Sequence, residues 1–198
     1  MRVAVLTVDQ RSSRSGPDLV PELVRATDGI PVLLPFERTA GDEAQGVLDD
    51  PVALPALVER LLRADTWNIG IGLGEVDEPL PDSARAGRGA AYVRARKAVT
   101  TAKRAPWHLS VVGEPDDPDA RSLETTLWLW AAVLARRTDR GWDVADLVAQ
   151  GMSYDEAGRR LGISQSAVSQ RAQAAGIVES RRARELAERL TGLLLGRE

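Results

Sequence analysis

The first apolar run is "VAVLTV" at 3–8, continuous and β-branched, as in a strand buried on both faces. A Ser- and Arg-rich loop, "DQRSSRSGPD", follows, and then a short helix near 19–26. "PVLLPFERTAG" and "EAQGVL" read as two strands joined by a tight acidic hairpin with Gly41 and Asp42 at its tip, and Pro35 marks the first of them as bulged or near an edge. Residues 51–65 repeat apolar positions at helical spacing, with prolines tolerable in the first turns. "WNIGIGLGEV" at 67–76 is a strand whose glycines mark the close approach of another backbone or of a ligand. A basic helix at 90–103 and a last strand at "HLSVVG" complete the order β-α-β-β-α-β-α-β. From "EPDDPDA" at 114–120 the pattern shifts to a proline-rich, acidic linker and then to helices alone.

This predicts an α+β chain with a ferredoxin-like, palm-type domain over 1–115 and an all-α domain over 116–198. At 198 residues, 43% hydrophobic and 28% charged, the chain can bury one good core and a smaller one. Cysteine is absent and histidine occurs once, which excludes disulfides and thiolate metal sites. Met1 leads directly into the first strand, with no signal-type apolar segment and no run able to span a bilayer, so the expected location is the cytoplasm. A net charge of −3 argues against indiscriminate coating of nucleic acid, while leaving room for a local basic face.

The clearest motif is "SYDEAGRRLGISQSAVSQRAQAAG" at 153–176, which meets the mechanical needs of a helix-turn-helix. Ala157 and Gly158 supply a small crossing, Gly162 allows a positive φ in the turn between Leu161 and Ile163, and Val168 and Ala172 point inward. Ser153 with Glu156 forms a capping box, and Ser164 caps the second helix. The outer face of that helix carries Gln165, Ser166, Ser169, Gln170 and Gln173, whose amides and hydroxyls suit base edges or phosphates. Arg159, Arg160 and Arg171 are placed to grip the DNA backbone. The other reading of the motif is a helical hairpin that only packs against protein. Two apolar helices, near 123–137 and 183–196, need burial either in a homodimer or against the same chain. A dimer would present two reading helices about one DNA turn apart, so the expected partner is double-stranded DNA with a palindromic operator. "DVADLVAQGMSYDEAGRRLGIS" resembles the corresponding region of many bacterial regulators and sigma-factor-like domains, and "SQSAVSQ" is similar to the start of a phage-repressor-type recognition helix.

At the other end of the chain, the expected palm topology sets the end of the first strand beside the hairpin tip, so Asp9 and Asp42 could share a divalent ion such as Mg²⁺. Asp9, "RTAGDE", "IGIGLGEV" and "RGAAYVRARKAV" stand in the order of the class III nucleotide cyclase and diguanylate cyclase palm. That resemblance implies Asp9 and Asp42 as metal ligands, Arg38 at the purine-recognising position and Arg96 as a stabiliser of phosphoryl charge. The chain departs from the pattern at Tyr92, where those cyclases use asparagine, and at "QRSSRSG" after the first aspartate. Loss of a positioned donor costs orders of magnitude in rate. The frame is therefore expected to sense a nucleotide or metal, or to support oligomerisation, rather than to turn over substrate. Asp42 and Glu43 could equally serve only as satisfied turn carboxylates, and the helix carrying Arg94, Arg96, Lys97 and Lys103 could be a solvated face. His108 and the five tryptophans read as core or interface residues.

Over nearly the whole chain the closer similarity is to the SatD family, carried by Asp9, "GDEAQGVL", "GIGLGE" and "AYVRARKA" together with the C-terminal helix-turn-helix. It implies this architecture and a regulator-like role. The expected function is thus a DNA-binding transcriptional regulator, and the alternative is a Mg-dependent nucleotidyl-cyclase-like enzyme governed by its C-terminal domain.

Overall fold

The computed structural model describes residues 1–12 and 16–197, so residues 13–15 of the Ser- and Arg-rich loop lie outside the described residues. Eight strands and helices build the first part: β1 (Arg2–Gln10), α1 (Val20–Ala26), β2 (Leu34–Ala40), β3 (Glu43–Leu48), α2 (Ala53–Ala64), β4 (Trp67–Glu75), α3 (Ala90–Ala102) and β5 (Leu109–Val112). Helices follow: α4 (Pro118–Leu134), α5 (Asp139–Ala149), α6 (Tyr154–Leu161), α7 (Gln165–Ala174) and α8 (Ile177–Leu195). The chain is a mixed α/β protein, and the strands form one sheet in the order β2-β3-β1-β4-β5. The β2–β3, β3–β1 and β1–β4 pairs are antiparallel, and β4–β5 is parallel.

β1 lies in the middle of the sheet, which is why its apolar run shows no alternation: Val3 and Val5 face one layer, and Ala4, Leu6 and Val8 face the other. β2 is an edge strand, and its register with β3 shifts between Leu34 and Glu37, the interval that holds Pro35. A proline there removes no ladder bond that a straight strand would need.

On one face of the sheet, α1, α2, α4 and α8 share a single core, with Leu54, Leu57, Leu123, Leu127 and Trp130 all fully buried. The burial that the two apolar helices require is therefore met within the chain, so their apolarity no longer argues for a dimer. α4 also begins earlier than the linker composition implied. Asp117 accepts from the backbone N–H of Asp119 and Ala120, and Pro118 fills the first turn, so the acidic stretch caps the helix. As a result, one core runs through the junction near residue 115.

On the other face lies α3. Alternate residues of β4 facing it are glycines, and a Cβ at Gly70 would sit 2.2 Å from the Val99 nitrogen, while one at Gly72 would sit 2.1 Å from the Ala95 nitrogen. Of the two readings of these glycines, another backbone is the one realised here: α3 presses its Ala91, Ala95 and Ala98 stripe into the groove they leave.

α5, α6 and α7 hold a separate small core of Val144, Ala157, Val168 and Ala172, with Leu161 and Ile163 packed at its margin. Among the described residues no helix is long and apolar enough to cross a membrane.

Candidate functional site

The outer face of α7 is open. Gln165, Ser166, Ser169, Gln170 and Gln173 are exposed, as are Arg159 and Arg160 at the end of α6, while Arg171 is half-buried. The orientation follows from local sequence, since Val168 and Ala172 are buried at i and i+4 and thereby turn the glutamine face outward. Ser164 fixes the start of the helix by accepting from the Ala167 N–H at 3.2 Å, and its hydroxyl lies 2.9 Å from that of Ser166. Gly162 closes α6 in the left-handed region (φ 67°), and its N–H returns to the Gly158 carbonyl. Gly158 is needed for a second reason, because a Cβ there would approach the Ile163 carbonyl to 2.8 Å. Small residues at this crossing let the two helices meet at close range.

α6 is anchored by the Ser153 and Glu156 capping box, in which the Ser153 N–H donates to Glu156 at 2.8 Å. The Ser153 hydroxyl, which donates to the same carboxylate at 2.7 Å, and then the Ser153 N–H hold the Glu156 carboxyl below its ordinary range. α7 carries no carboxylate and a single charge, Arg171. Arg159 pairs with Asp155 one turn back on α6. The face can therefore approach a polyanion without repulsion from its own helix, and its amides and hydroxyls supply both donors and acceptors.

The hairpin presents a second candidate site. Gly41 and Asp42 form the two-residue tip between β2 and β3, with Gly41 in the left-handed region at φ 57°. Asp9 and Asp42 line one open cleft of about 1190 Å³, together with Asn68, Lys103 and His108. β1 pairs Asp9 with Glu43 on one side and Asn68 on the other. The Asp9 carboxylate is already satisfied: Asn68 Nδ2 donates to Oδ2 at 2.9 Å, and Lys103 Nζ stands 3.2 Å from Oδ1. A divalent ion would have to displace that ammonium, and among the described residues no group of three carboxylate or histidine side chains is gathered for a metal. The donor set does not fit Mg²⁺ as it stands.

The two arginines expected at a nucleotide are not brought together. Arg38 donates to the Gly41 carbonyl and pairs with Asp18, so it braces the hairpin. Arg96 projects from α3 into solvent, with its guanidinium 3.8 Å from Glu43. Tyr92 turns inward, where its hydroxyl is buried without a partner among the described groups, and burial followed by the nearby Glu37 charge pushes its pKa up. Glu37 is held down in pKa first by the Ser83 hydroxyl and then by the Arg85 N–H. Of the aromatic residues, Trp130 and Trp67 are buried, whereas Trp107 is 43% exposed and lies outside the hydrophobic cores.

Asn68, Lys103 and His108 belong to the cleft although no spacing rule picks them out. The one available signal was the asparagine, a polar residue set in an otherwise apolar and glycine-rich strand. Compared with known proteins, the chain matches no family model, no curated protein and no solved structure.

Proposed function

We propose that the chain is a DNA-binding transcriptional regulator of the helix-turn-helix type, in which α7 reads the major groove and the sheet layer is a palm-like frame that senses or supports rather than catalyses. The single observation that carries this reading is the exposed, carboxylate-free glutamine and serine face of α7, set on a turn built around Gly158 and Gly162. An architecture like that of the SatD family accords with it. Two copies would read a palindrome.

The alternative, a Mg-dependent nucleotidyl-cyclase-like enzyme, has one observation in its favour, the shared cleft of Asp9 and Asp42. Lys103 on Asp9 and Asp18 on Arg38 weigh against it.

The test is selection of genomic fragments by the purified protein, followed by binding to the enriched site at several salt concentrations. The reading expects a steep salt dependence and a loss on Gln170→Ala with Arg171→Ala of about 1–3 kcal/mol for each base-edge contact removed. Equal binding by the double variant would refute α7 as the reading helix. A cyclised product from ATP or GTP with Mg²⁺, abolished by Asp42→Asn, would favour the enzyme instead.

A further inference from the structure

The α5–α7 unit has its own core and meets the rest of the molecule across a seam between α2, α5 and α8. That seam contains a cavity of about 600 Å³, within the range of small-molecule sites. Arg60 and Arg63 enter it from α2, Arg181 and Arg184 from α8, and Arg137 from the end of α4, against only two carboxylates, Glu59 and Asp146. Alanines and Ile177 form apolar wall between them. Two other cavities have mixed lining: the hairpin cleft sets Asp9, Asp42 and Asp65 against Arg11 and Lys103, and the cavity beside α3 and α4 sets Glu114, Asp116, Asp117 and Glu124 against Arg94, Lys97 and Arg121. Only the seam, of these three, has a clear cationic excess.

The arginines differ in how firmly they are committed. Arg63 makes a two-pronged pair with Asp146 at 2.8 and 2.9 Å, and its guanidinium lies 4.2 Å from the Trp142 ring centroid. Arg137 is buried, 4.6 Å from the same ring, and donates to the Ala175 carbonyl at 2.8 Å. These two hold α5 and the end of α7 against the body. Arg60 uses one nitrogen on the backbone carbonyls of Ala26 and Asp28, and among the described residues Arg181 makes a loose 3.8 Å pair with Glu185. Their remaining N–H groups are the ones free to take an oxyanion, in a cleft whose low-dielectric walls concentrate the positive field.

We propose that the seam is an effector site, in which a small organic anion bearing phosphate or carboxylate groups binds between α2, α5 and α8 and changes how the α5–α7 unit is seated. An entering anion competes with Asp146 for Arg63, a link that fixes the unit, and with Glu59 for Arg184 in the body beside it. The regulatory half of this inference rests on the reading of the chain as a DNA-binding regulator; the binding half does not.

The experiment uses the full chain with pyrophosphate, citrate and ATP as separate probes, without added metal, titrated calorimetrically at constant ionic strength. Wild-type protein is expected to bind at least one probe, and the phosphate and carboxylate arms identify the preferred group. Arg60→Ala with Arg181→Glu should weaken binding at least tenfold. Ala145→Trp, which fills the wall and leaves every charge in place, should do the same and guards against a folding defect in the first variant. No binding by the wild type, or equal binding by wild type and both folded variants, overturns the site. DNA affinity is then measured with and without the bound probe. A probe that binds the seam but leaves DNA affinity unchanged keeps the site and overturns its regulatory role. Seam binding by a protein that captures no DNA fragment keeps the site and defeats the regulator reading alone.

Discussion

Replacing Gly72 with alanine should cost the fold about 3 kcal/mol, at the upper end of what overpacking of a core ordinarily costs. The added Cβ would lie 2.1 Å from the Ala95 nitrogen and 2.2 Å from the Ala91 oxygen. Ordinary carbon contacts are about 3.5–4.0 Å, so α3 has to withdraw by roughly 1.5 Å. Both obstructing atoms belong to helix backbone and cannot rotate aside as a side chain would. Withdrawal opens a gap beneath Ala95, Ala98, Val99 and Ala102, all of them buried, and a gap of about 1 Å forfeits up to half of the dispersion well for each contact. The comparison is Gly41→Ala at the hairpin tip, where nothing lies within 4 Å and only the positive φ of 57° resists, a cost of about 1–2 kcal/mol. Urea unfolding of both variants at neutral pH measures the difference. Equal midpoint shifts would refute the packing argument. A Gly72→Ala protein as stable as the wild type but deficient in nucleotide binding would show that the glycines serve a ligand and not α3.

The capping box makes stability depend on pH in a definite direction. Because hydrogen bonds lower the folded-state pKa of Glu156, its contribution is complete above the unfolded value and disappears as pH falls through the folded one. Wild type should therefore exceed Glu156→Gln in melting temperature at neutral pH, and the difference should close as pH falls below the ordinary glutamate range; a constant difference would contradict the assignment. Val168→Ala removes two methyl groups from a fully buried position and should cost about 1.5–2.5 kcal/mol. Since α5–α7 have a core of their own, hydrogen exchange should quicken in those helices while the β1 and β4 amides stay protected, and uniform acceleration would mean that the unit does not open separately.

The candidate reading face was legible because its causes are local. Ser153, Glu156, Gly162 and Ser164 act on backbone groups within four residues, and the inward Val168 and Ala172 set the outward Gln165, Ser169 and Gln173 by helical period alone. The hairpin was legible for the same reason, with Gly41 and Asp42 lying between two short apolar strands. Its chemistry was not, since the Lys103 that neutralises Asp9 stands 94 residues away and no spacing rule joins a strand end to the far end of a later helix.

The sequence by itself determined the order β-α-β-β-α-β-α-β of the first part, the caps and turn of α6 and α7, and which face of α7 points outward, because each depends on propensity, periodicity and hydrogen bonds inside a short window. Only the tertiary structure decided that the β4 glycines receive α3, that α4 and α8 bury their leucines on the sheet of their own chain, and that arginines from α2, α4 and α8 surround one cavity. An apolar stripe or a glycine groove states that something must cover it; which surface does so depends on the closure of long loops and on the shape that every other element leaves behind.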